Sequence, residues 1–153
     1  MNSNTIKLTQ FSPAAGCGCK LSPETLREIL SPVEIDALED STSPLLVGNS
    51  SRDDAAAIDI GGGRALLSTT DFFTPIVDDP FEFGQISATN AISDIYAMGG
   101  HPTVAIAILG WPVDKLAPAI ASRVLAGARR TCREAGIAVS YTHLRAHETL
   151  PYL

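Results

Sequence analysis

The sequence has 153 residues, of which 45% are hydrophobic and 18% are charged, and its formal net charge is −6. These values predict one soluble domain that buries a core of its own, so folding needs neither disulfides nor a zinc ion. The acidic balance argues against nucleic acid as a partner, because a negative surface repels phosphate backbones. The longest apolar run, residues 104–109, is too short to cross a bilayer, and the first seven residues lack the apolar segment of a signal peptide. We therefore expect a cytoplasmic protein without membrane contact.

The first predicted elements are a short strand, a loop and a helix. Residues 6–9 have a strand-like composition. Residues 14–20, Ala-Ala-Gly-Cys-Gly-Cys-Lys, have little to pack and many accessible backbone states, so we expect a mobile loop there. Ser22, Pro23 and Glu24 are typical of a helix start, because serine caps, proline suits the first turn and glutamate favours the positive end of the dipole.

The middle of the chain predicts a strand followed by a β-hairpin. Residues 45–47 have the composition of a strand. The apolar runs 55–60 and 65–70 flank the glycines at 61–63, which are typical of a hairpin turn. We expect the second strand of this hairpin to end at Asp71.

The last part of the chain predicts helices alternating with strands. The predicted elements are a helix from the Asp79–Pro80 cap signal to Gly99, a buried strand at 103–109, a long helix at 114–135 interrupted early by Pro118, and a strand that begins at Ile137. Together with the earlier elements, this order favours the α+β class, with an antiparallel or mixed sheet and helices on one face. A doubly wound α/β fold is the rival, and the glycine hairpin argues against it.

Residues 140–153 do not fit the preceding pattern. There the strand beginning at Ile137 loses its apolar character, and two of the three histidines, His143 and His147, lie in this stretch. We expect a non-native tail that resembles translated adapter or vector sequence, and we assign the two histidines no functional role. An ordinary polar C-terminal tail is the alternative. The predicted organisation is a flexible segment at 1–20, a folded domain at 21–139 and this tail.

Three aspartates at the ends of predicted elements form one candidate site. Asp54 lies in a loop after a strand, Asp71 ends a strand, and Asp94 lies in the last turn of a helix with Asn90 one turn earlier on the same face. Oxygen ligands in such positions are how proteins hold hard cations such as Mg²⁺, which keeps several waters and bridges to substrate phosphates. Any one of these aspartates could equally be a cap or turn residue, but the set of three favours a site.

A second candidate group is the pair Cys17 and Cys19 with Lys20. The lysine favours the thiolate form of Cys17, which is the nucleophile, and it could equally contact a phosphate group. A structural zinc site is disfavoured because the spacing is not Cys-x-x-Cys and no second pair exists. Cys132 lies within a helical pattern and is expected in the core.

Several motifs of this chain occur together in one known family. The most specific is Gly-Cys-Gly-Cys-Lys at 16–20; further runs lie at 8–10, 47–49, 52–56, 68–73, 88–100 and 105–112. Together, over about residues 5–139, they resemble the selenophosphate synthetases. The aspartate motifs are shared with the wider group of aminoimidazole ribonucleotide synthetases and thiamine-monophosphate kinases.

The resemblance implies a homodimeric enzyme that converts ATP, selenide and water into selenophosphate, AMP and phosphate, with residues 21–139 as its ATP- and Mg²⁺-binding domain. It implies these roles for single residues: Cys17 as catalytic thiol, Lys20 as a catalytic residue near the phosphates, Asp54 and Asp94 as Mg²⁺ ligands, Asp71 in contact with ATP or its metals, and Ser51, Arg52 and Asp53 as lining of the nucleotide site.

The chain departs from the family pattern after Val139. The family continues with a Gly-Gly-His segment, where this chain has Ser140–His143, and the family's C-terminal domain with a further metal-binding aspartate is missing. We therefore expect little or no turnover by this polypeptide. Two alternatives stay open: a related phosphotransferase that acts on another small metabolite, and a non-catalytic thiol- or metal-binding module whose cysteines sense redox state.

Overall fold

The computed structural model describes residues 6–12, 22–30, 43–48, 51 and 53–146. Cys17, Cys19, Lys20 and Arg52 lie outside these residues. The described elements are, in chain order, a 3₁₀ turn (Leu8–Phe11), α1 (Pro23–Leu30), β1 (Leu45–Val47), β2 (Ala56–Gly61), β3 (Arg64–Ser68), α2 (Pro80–Ala97), β4 (Val104–Trp111), α3 (Pro118–Glu134) and β5 (Ala138–Ala146). None of the helices in this described part is long and apolar enough to cross a bilayer.

The described strands form two small sheets. Strands β1, β2 and β3 are antiparallel neighbours in chain order, and β4 pairs with β5 in parallel across the crossover helix α3. The turn between β2 and β3 has positive φ at all three glycines, Gly61 (80°), Gly62 (67°) and Gly63 (68°), which favours residues without a Cβ. The α+β prediction and the glycine hairpin are confirmed.

Helix α2 begins and ends at the residues that the sequence indicated. The Asp79 carboxylate accepts hydrogen bonds from the backbone N–H groups of Phe81 (2.8 Å) and Glu82 (3.0 Å), so it satisfies two of the unpaired donors of the first turn. Pro80 occupies the first helical position. Gly99, with φ of +71°, lies just beyond the helix end.

The core joins α2, α3 and the N-terminal turn. Its buried members are Leu8, Phe83, Leu116 and Val124, and it is extended by the partly buried Phe73, Val77, Leu109, Trp111 and Ile120. The rings of Phe73 and Phe83 meet edge to face at 5.8 Å between centroids and 81° between planes, a favourable aromatic geometry. This packing fixes residues 73–77, and therefore the chain that leads into α2.

The predicted strand at residues 6–9 is wrong, because the structure has a 3₁₀ turn at Leu8–Phe11. The Leu8 side chain is only 1% exposed, and its backbone N–H donates to the Asp78 carbonyl at 3.3 Å. The contacts of Leu8 with Asp78 and with the core outweigh the strand-like composition of residues 6–9. A contact with a residue so far along the chain leaves no signal in the neighbouring sequence, so it could not be predicted.

The predicted strand at 103–109 is confirmed as β4, but the expectation that it is buried is wrong. Along β4 every second residue is exposed, with Val104, Ile106 and Ile108 showing 59%, 62% and 64% of their surface. Successive side chains of a strand point to opposite faces, so one face of β4 lies on the domain and the other is open.

Three element ends differ from the predictions. Strand β3 ends at Ser68 rather than at Asp71. Helix α3 begins at Pro118, not at residue 114, because the backbone N–H groups of Lys115 and Leu116 turn back to the Pro112 carbonyl. Proline at the first helical position then starts the helix.

Strand β5 begins one residue after Ile137 and continues to Ala146. Its ladder with β4 has an irregularity: Ala105 pairs with Val139, but Ile106 pairs with Tyr141, so Ser140 is an extra residue. The irregularity falls where the predicted tail begins. The non-native origin of residues 140–153 stays a prediction.

Candidate functional site

Two hydrogen bonds join the segment after β3 to the last turns of α2. The Thr69 hydroxyl donates to Asp94 Oδ2 at 2.8 Å, and the Asn90 side-chain amide donates to Asp71 Oδ2. Thr69 and Asp71 are two residues apart, and Asn90 and Asp94 are one helical turn apart. The segment after β3 therefore contributes Asp71 and the donor to Asp94, and α2 contributes Asp94 and the donor to Asp71. The result is a pair of half-buried carboxylates held between a strand end and a helix face.

Close packing at the end of α2 keeps this helix against the hairpin. Gly100 follows the helix, and its backbone N–H donates to the Ile95 carbonyl at 2.9 Å. A Cβ at Gly100 would lie 2.3 Å from Leu67 Cδ1 and 3.1 Å from the Ile95 carbonyl oxygen. Because Leu67 belongs to β3, the chain at the end of α2 lies close against this strand, near the two carboxylates.

Asp54 lies at the same open end of the hairpin as Asp71. Ala56 of β2 pairs with Ser68 of β3, so Asp54 comes two residues before this pair and Asp71 three residues after it. Asp53 and Asp54 are exposed. The two hydrogen bonds that join the strand end to α2 do not involve Asp53 or Asp54. The structure thus brings together two of the three predicted acidic residues and leaves the third on the same side of the sheet.

The donor chemistry suits a hard cation. Asp71, Asp94, Asn90 and Thr69 supply carboxylate, amide and hydroxyl oxygens, which Mg²⁺ prefers. Within the described ranges no group of three or more His, Cys, Asp and Glu side chains is arranged to hold a metal. One or two carboxylates completed by water and phosphate oxygens are the usual way in which proteins bind Mg²⁺, so the pair fits that ion without a third acid.

The other predicted site residues lie apart from the carboxylate pair or outside the described residues. Ser51 is exposed, and its hydroxyl donates to the Gly48 carbonyl at 2.9 Å. Cys17, Lys20 and Arg52 are outside the described residues. Cys132 is buried in α3, as expected, and its burial raises the pKa of the thiol and disfavours the thiolate.

Two features of the site were missed in the sequence. One is Thr69, which could have been noticed because it lies two residues before Asp71, and residues two apart along an extended segment share a face. The other is an open groove of about 550 Å³ between α2 and α3, beside Asn90. It is lined by Gln85, Ile86, Thr89, Asn90, Ser93, Thr131 and Glu134. A groove between two helices has no signature in local sequence.

Comparison with known families identifies the domain to which most of the chain corresponds. Residues 52–150 match the family described as AIR synthase related protein, N-terminal domain. The chain belongs to this family. The matched range includes both carboxylates of the site and the residues that hydrogen-bond to them. Asp54 lies inside the same range.

Curated relatives confirm the resemblance that the motifs indicated. The chain is 61% identical over 140 residues to the selenide, water dikinase of Aeromonas salmonicida (strain A449), and 57% identical over 143 residues to that of Escherichia coli (strain K12). These alignments cover 92% and 94% of the chain but 40% of each relative. The chain therefore spans about two fifths of the length of the relatives it matches.

A solved structure, AaThiL complexed with AMPPCP and TMP, has a similar fold. The TM-score is 0.59 at 22% identity, and the match covers 95% of this chain and 41% of that one. At this identity the similarity supports the fold alone.

Proposed function

We propose that this chain is the nucleotide-handling N-terminal part of an enzyme that makes selenophosphate from ATP, selenide and water, with AMP and phosphate as the other products. The observation that carries the proposal is the carboxylate pair Asp71 and Asp94, held by Asn90 and Thr69. Identity near 60% to selenide, water dikinases over the same residues supports the choice of selenide as acceptor.

The proposed task of the carboxylate pair is to hold Mg²⁺ with the triphosphate of ATP. When bound, the ion supplies positive charge that neutralises the phosphate oxygens and polarises the phosphorus–oxygen bond. Asp94 and Asp54 are the proposed metal ligands, and Asp71 contacts ATP or its metals. Asn90 and Thr69 donate to Asp71 and Asp94, so they fix the direction of the remaining carboxylate lone pairs before any ligand arrives.

The remaining site residues are proposed from the family resemblance. Cys17 is the catalytic thiol, and Lys20 lies near the phosphates as a second catalytic residue. Ser51, Arg52 and Asp53 line the nucleotide site. In this organisation residues 1–20 carry the thiol, residues 21–139 bind ATP and Mg²⁺, and residues 140–153 are a non-native tail.

We further propose that the chain acts as a homodimer in the cytoplasm. The open face of β4 supports this association, because Val104, Ile106 and Ile108 form an exposed apolar row on one side of the strand. A second copy that covers the row would remove this apolar surface from water.

The chain by itself is expected to have little turnover. It spans about 40% of its curated relatives, so much of their length has no counterpart here. An assay of AMP release with selenide, ATP and Mg²⁺ tests this. Turnover by the 153-residue chain at the rate of a complete selenide, water dikinase measured alongside would contradict the fragment proposal.

Calorimetric titration with Mg²⁺ and ATP tests the nucleotide site directly. We expect binding by the chain and roughly a tenfold weaker affinity, or more, for Asp94→Asn, because the substitution removes a negative ligand while keeping the side-chain shape. Asp114→Asn is the matched control, since Asp114 is exposed in the turn between β4 and α3.

The same titration separates the alternatives. A non-catalytic thiol module predicts no ATP binding at all. A related phosphotransferase predicts binding, and it also predicts that turnover of the complete enzyme survives replacement of Cys17. Equal affinities of the Asp94→Asn and Asp114→Asn variants would contradict the proposed role of the carboxylate pair.

A further inference from the structure

We propose that the groove between α2 and α3 binds an aliphatic diamine. The two ammonium groups of the ligand lie one helical turn apart at Thr89 and Ser93, and Glu134 supplies the opposite charge from the other wall. This site goes beyond the proposed function and does not depend on it, since neither ATP nor Mg²⁺ takes part.

The groove opens where α2 and α3 diverge. The two helices cross at Gly84 and Gly127, where the backbones approach too closely to leave room for a Cβ. The residues that line the groove all come after this crossing, within 85–93 of α2 and 131–134 of α3. The space between them is about 550 Å³, which lies in the usual range for sites that bind small molecules.

Two hydroxyl groups in the lining act as acceptors. Thr89 Oγ1 donates its proton to the Gln85 carbonyl at 2.9 Å, and Ser93 Oγ donates to the Asn90 carbonyl at 2.6 Å. A hydroxyl has one proton and two lone pairs, so a proton that is bound within the helix leaves only lone pairs for a ligand. These two oxygens therefore favour a ligand that carries hydrogen-bond donors.

The charge in the lining favours a cation. Among the residues described as lining the groove, only Glu134 is charged, and it belongs to the last turn of α3, the negative end of the helix dipole. Its Oε1 accepts from Arg130 Nε at 2.8 Å, which leaves Oε2 for a second donor. Both side chains of this pair are more than half exposed (58% and 60%), so Arg130 competes only weakly with a bound ammonium group.

The spacing along α2 favours a ligand of defined length. Thr89 and Ser93 are four residues apart, which corresponds to a rise of about 6 Å. An extended chain of four methylene groups holds two ammonium nitrogens at about the same distance. Ile86 and the aliphatic parts of neighbouring side chains make most of the lining apolar, so the methylene groups bury apolar surface between the two charged ends.

Titration of the 153-residue chain with 1,4-diaminobutane tests the site. Backbone amide NMR spectra are recorded at constant ionic strength, without ATP or Mg²⁺. We expect saturable shifts centred on residues 85–93 and 131–134, and roughly tenfold weaker binding of 1-aminobutane, which lacks the second charged donor. Shifts that do not saturate, or that are equally large around the exposed Asp53, Asp54 and Asp114, would show a general attraction of cations to an acidic chain and overturn the proposal.

Two charge variants should have effects of opposite sign. Glu134→Gln removes the carboxylate with little change of shape and should weaken diamine binding roughly tenfold. Arg130→Gln removes the competing cation and should strengthen it, by roughly threefold. A groove that binds anions predicts the reverse, and inorganic phosphate is the probe for that case. Unchanged diamine affinity in Glu134→Gln, or phosphate shifts centred on the groove, would contradict the site.

The hydroxyl acceptors are tested by Thr89→Val and Ser93→Ala. Each should weaken diamine binding by roughly threefold to tenfold, because one hydrogen bond is lost. Ser122→Ala is the matched control: Ser122 is an exposed serine of α3 outside the groove, and its hydroxyl likewise donates to a helix carbonyl, that of Pro118 at 3.3 Å. Equal affinities of the Ser93→Ala and Ser122→Ala variants would refute the proposed contact.

Asp94→Asn separates this site from the proposed nucleotide site. Its diamine affinity should equal that of the unmodified chain, whereas its affinity for Mg²⁺ and ATP is expected to fall. Loss of diamine binding in Asp94→Asn would mean that the amine pairs with the carboxylates Asp71 and Asp94 instead, and the groove would be refuted. Failure of ATP binding in every sample refutes the proposed function and leaves the diamine titration interpretable by itself.

Discussion

At the scale of single residues, Asp79 connects local structure to tertiary packing. One carboxylate oxygen caps α2, and the other accepts from Arg123 of α3 at 2.8 Å. The backbone N–H of Glu82 lowers the pKa of Asp79 below its ordinary value of 3.8, and the Phe81 N–H and Arg123 act in the same direction. The ionised form is therefore the one that stabilises the fold.

Replacement of Asp79 by alanine should lower the free energy of unfolding by about 1 kcal/mol, the usual effect of losing a helix cap. Since the folded-state pKa is depressed, the part of this contribution that depends on the charge is fully present above about pH 4 and is lost as the pH falls through the folded-state pKa. Asp79→Asn keeps an oxygen that caps and removes the charge, so it should lose the Arg123 ion pair and the pH dependence but keep most of the cap. Urea unfolding at about pH 7 and about pH 3 measures both effects. An equal loss at the two pH values for Asp79→Ala would contradict a role of the charge.

Signals in the local sequence explain which helix ends and side-chain contacts could be predicted. The start and end of α2 follow from Asp79, Pro80 and Gly99, because caps act within one turn of the chain. The association of Asp94 with Asn90 follows from helical spacing. By contrast, Leu8 takes its conformation from Asp78 and from the core, far along the chain, and no neighbouring residue announces that contact.

At the scale of elements, two glycines set the distance between α2 and α3. A Cβ at Gly84 would lie 1.9 Å from the Val124 carbonyl oxygen, and a Cβ at Gly127 would lie 2.0 Å from the Phe81 carbonyl oxygen. Both neighbours are backbone atoms, which cannot rotate away. The glycines therefore permit the close helix crossing that buries Phe83 and Val124.

Alanine at Gly84 or Gly127 should force the helices apart and lower the free energy of unfolding by about 3 kcal/mol or more, at the upper end of the usual effect of overpacking. Gly110→Ala is the matched control, because no atom lies within 4 Å of a Cβ there and the φ angle is ordinary. Denaturant unfolding compares the three variants. Equal stability of the Gly84→Ala and Gly110→Ala variants would show that the crossing is not as tight as described.

Which face of a strand is covered was harder to predict than the strand itself. An apolar run such as 103–109 predicts a strand, but its composition does not say what covers each side. The structure gives β4 one covered and one open face. In the same way, the sequence predicted that Asp54, Asp71 and Asp94 converge. Hydrogen bonds from Thr69 and Asn90 tie Asp94 and Asp71 to the same strand end and helix, whereas the position of Asp54 depends on loop geometry that spacing along the sequence does not encode.

At the scale of the whole molecule, the open face of β4 is the surface that the proposed homodimer would bury. Ile106 lies in the middle of the row, 62% exposed, so its replacement costs the isolated chain little. In a symmetric dimer the same residue is present twice, and burial of one isoleucine side chain contributes about 1.5–3 kcal/mol. Ile106→Asp should therefore weaken association by about 3 kcal/mol, or about a hundredfold in Kd.

Sedimentation over a range of concentrations tests this expectation. The unmodified chain should show a concentration-dependent dimer, and Ile106→Asp should sediment as a monomer over the same range. At concentrations low enough for both to be monomeric, the two should unfold at the same temperature. Ile29→Asp serves as the control, because Ile29 is also an exposed isoleucine (50%) and belongs to α1 rather than to β4. Loss of the dimer in both variants would point to a general effect of added charge, and a monomeric unmodified chain at high concentration would contradict the proposed homodimer. A dimer lost only in Ile106→Asp would assign the interface to β4, because only there does the new charge replace apolar surface that the partner covers.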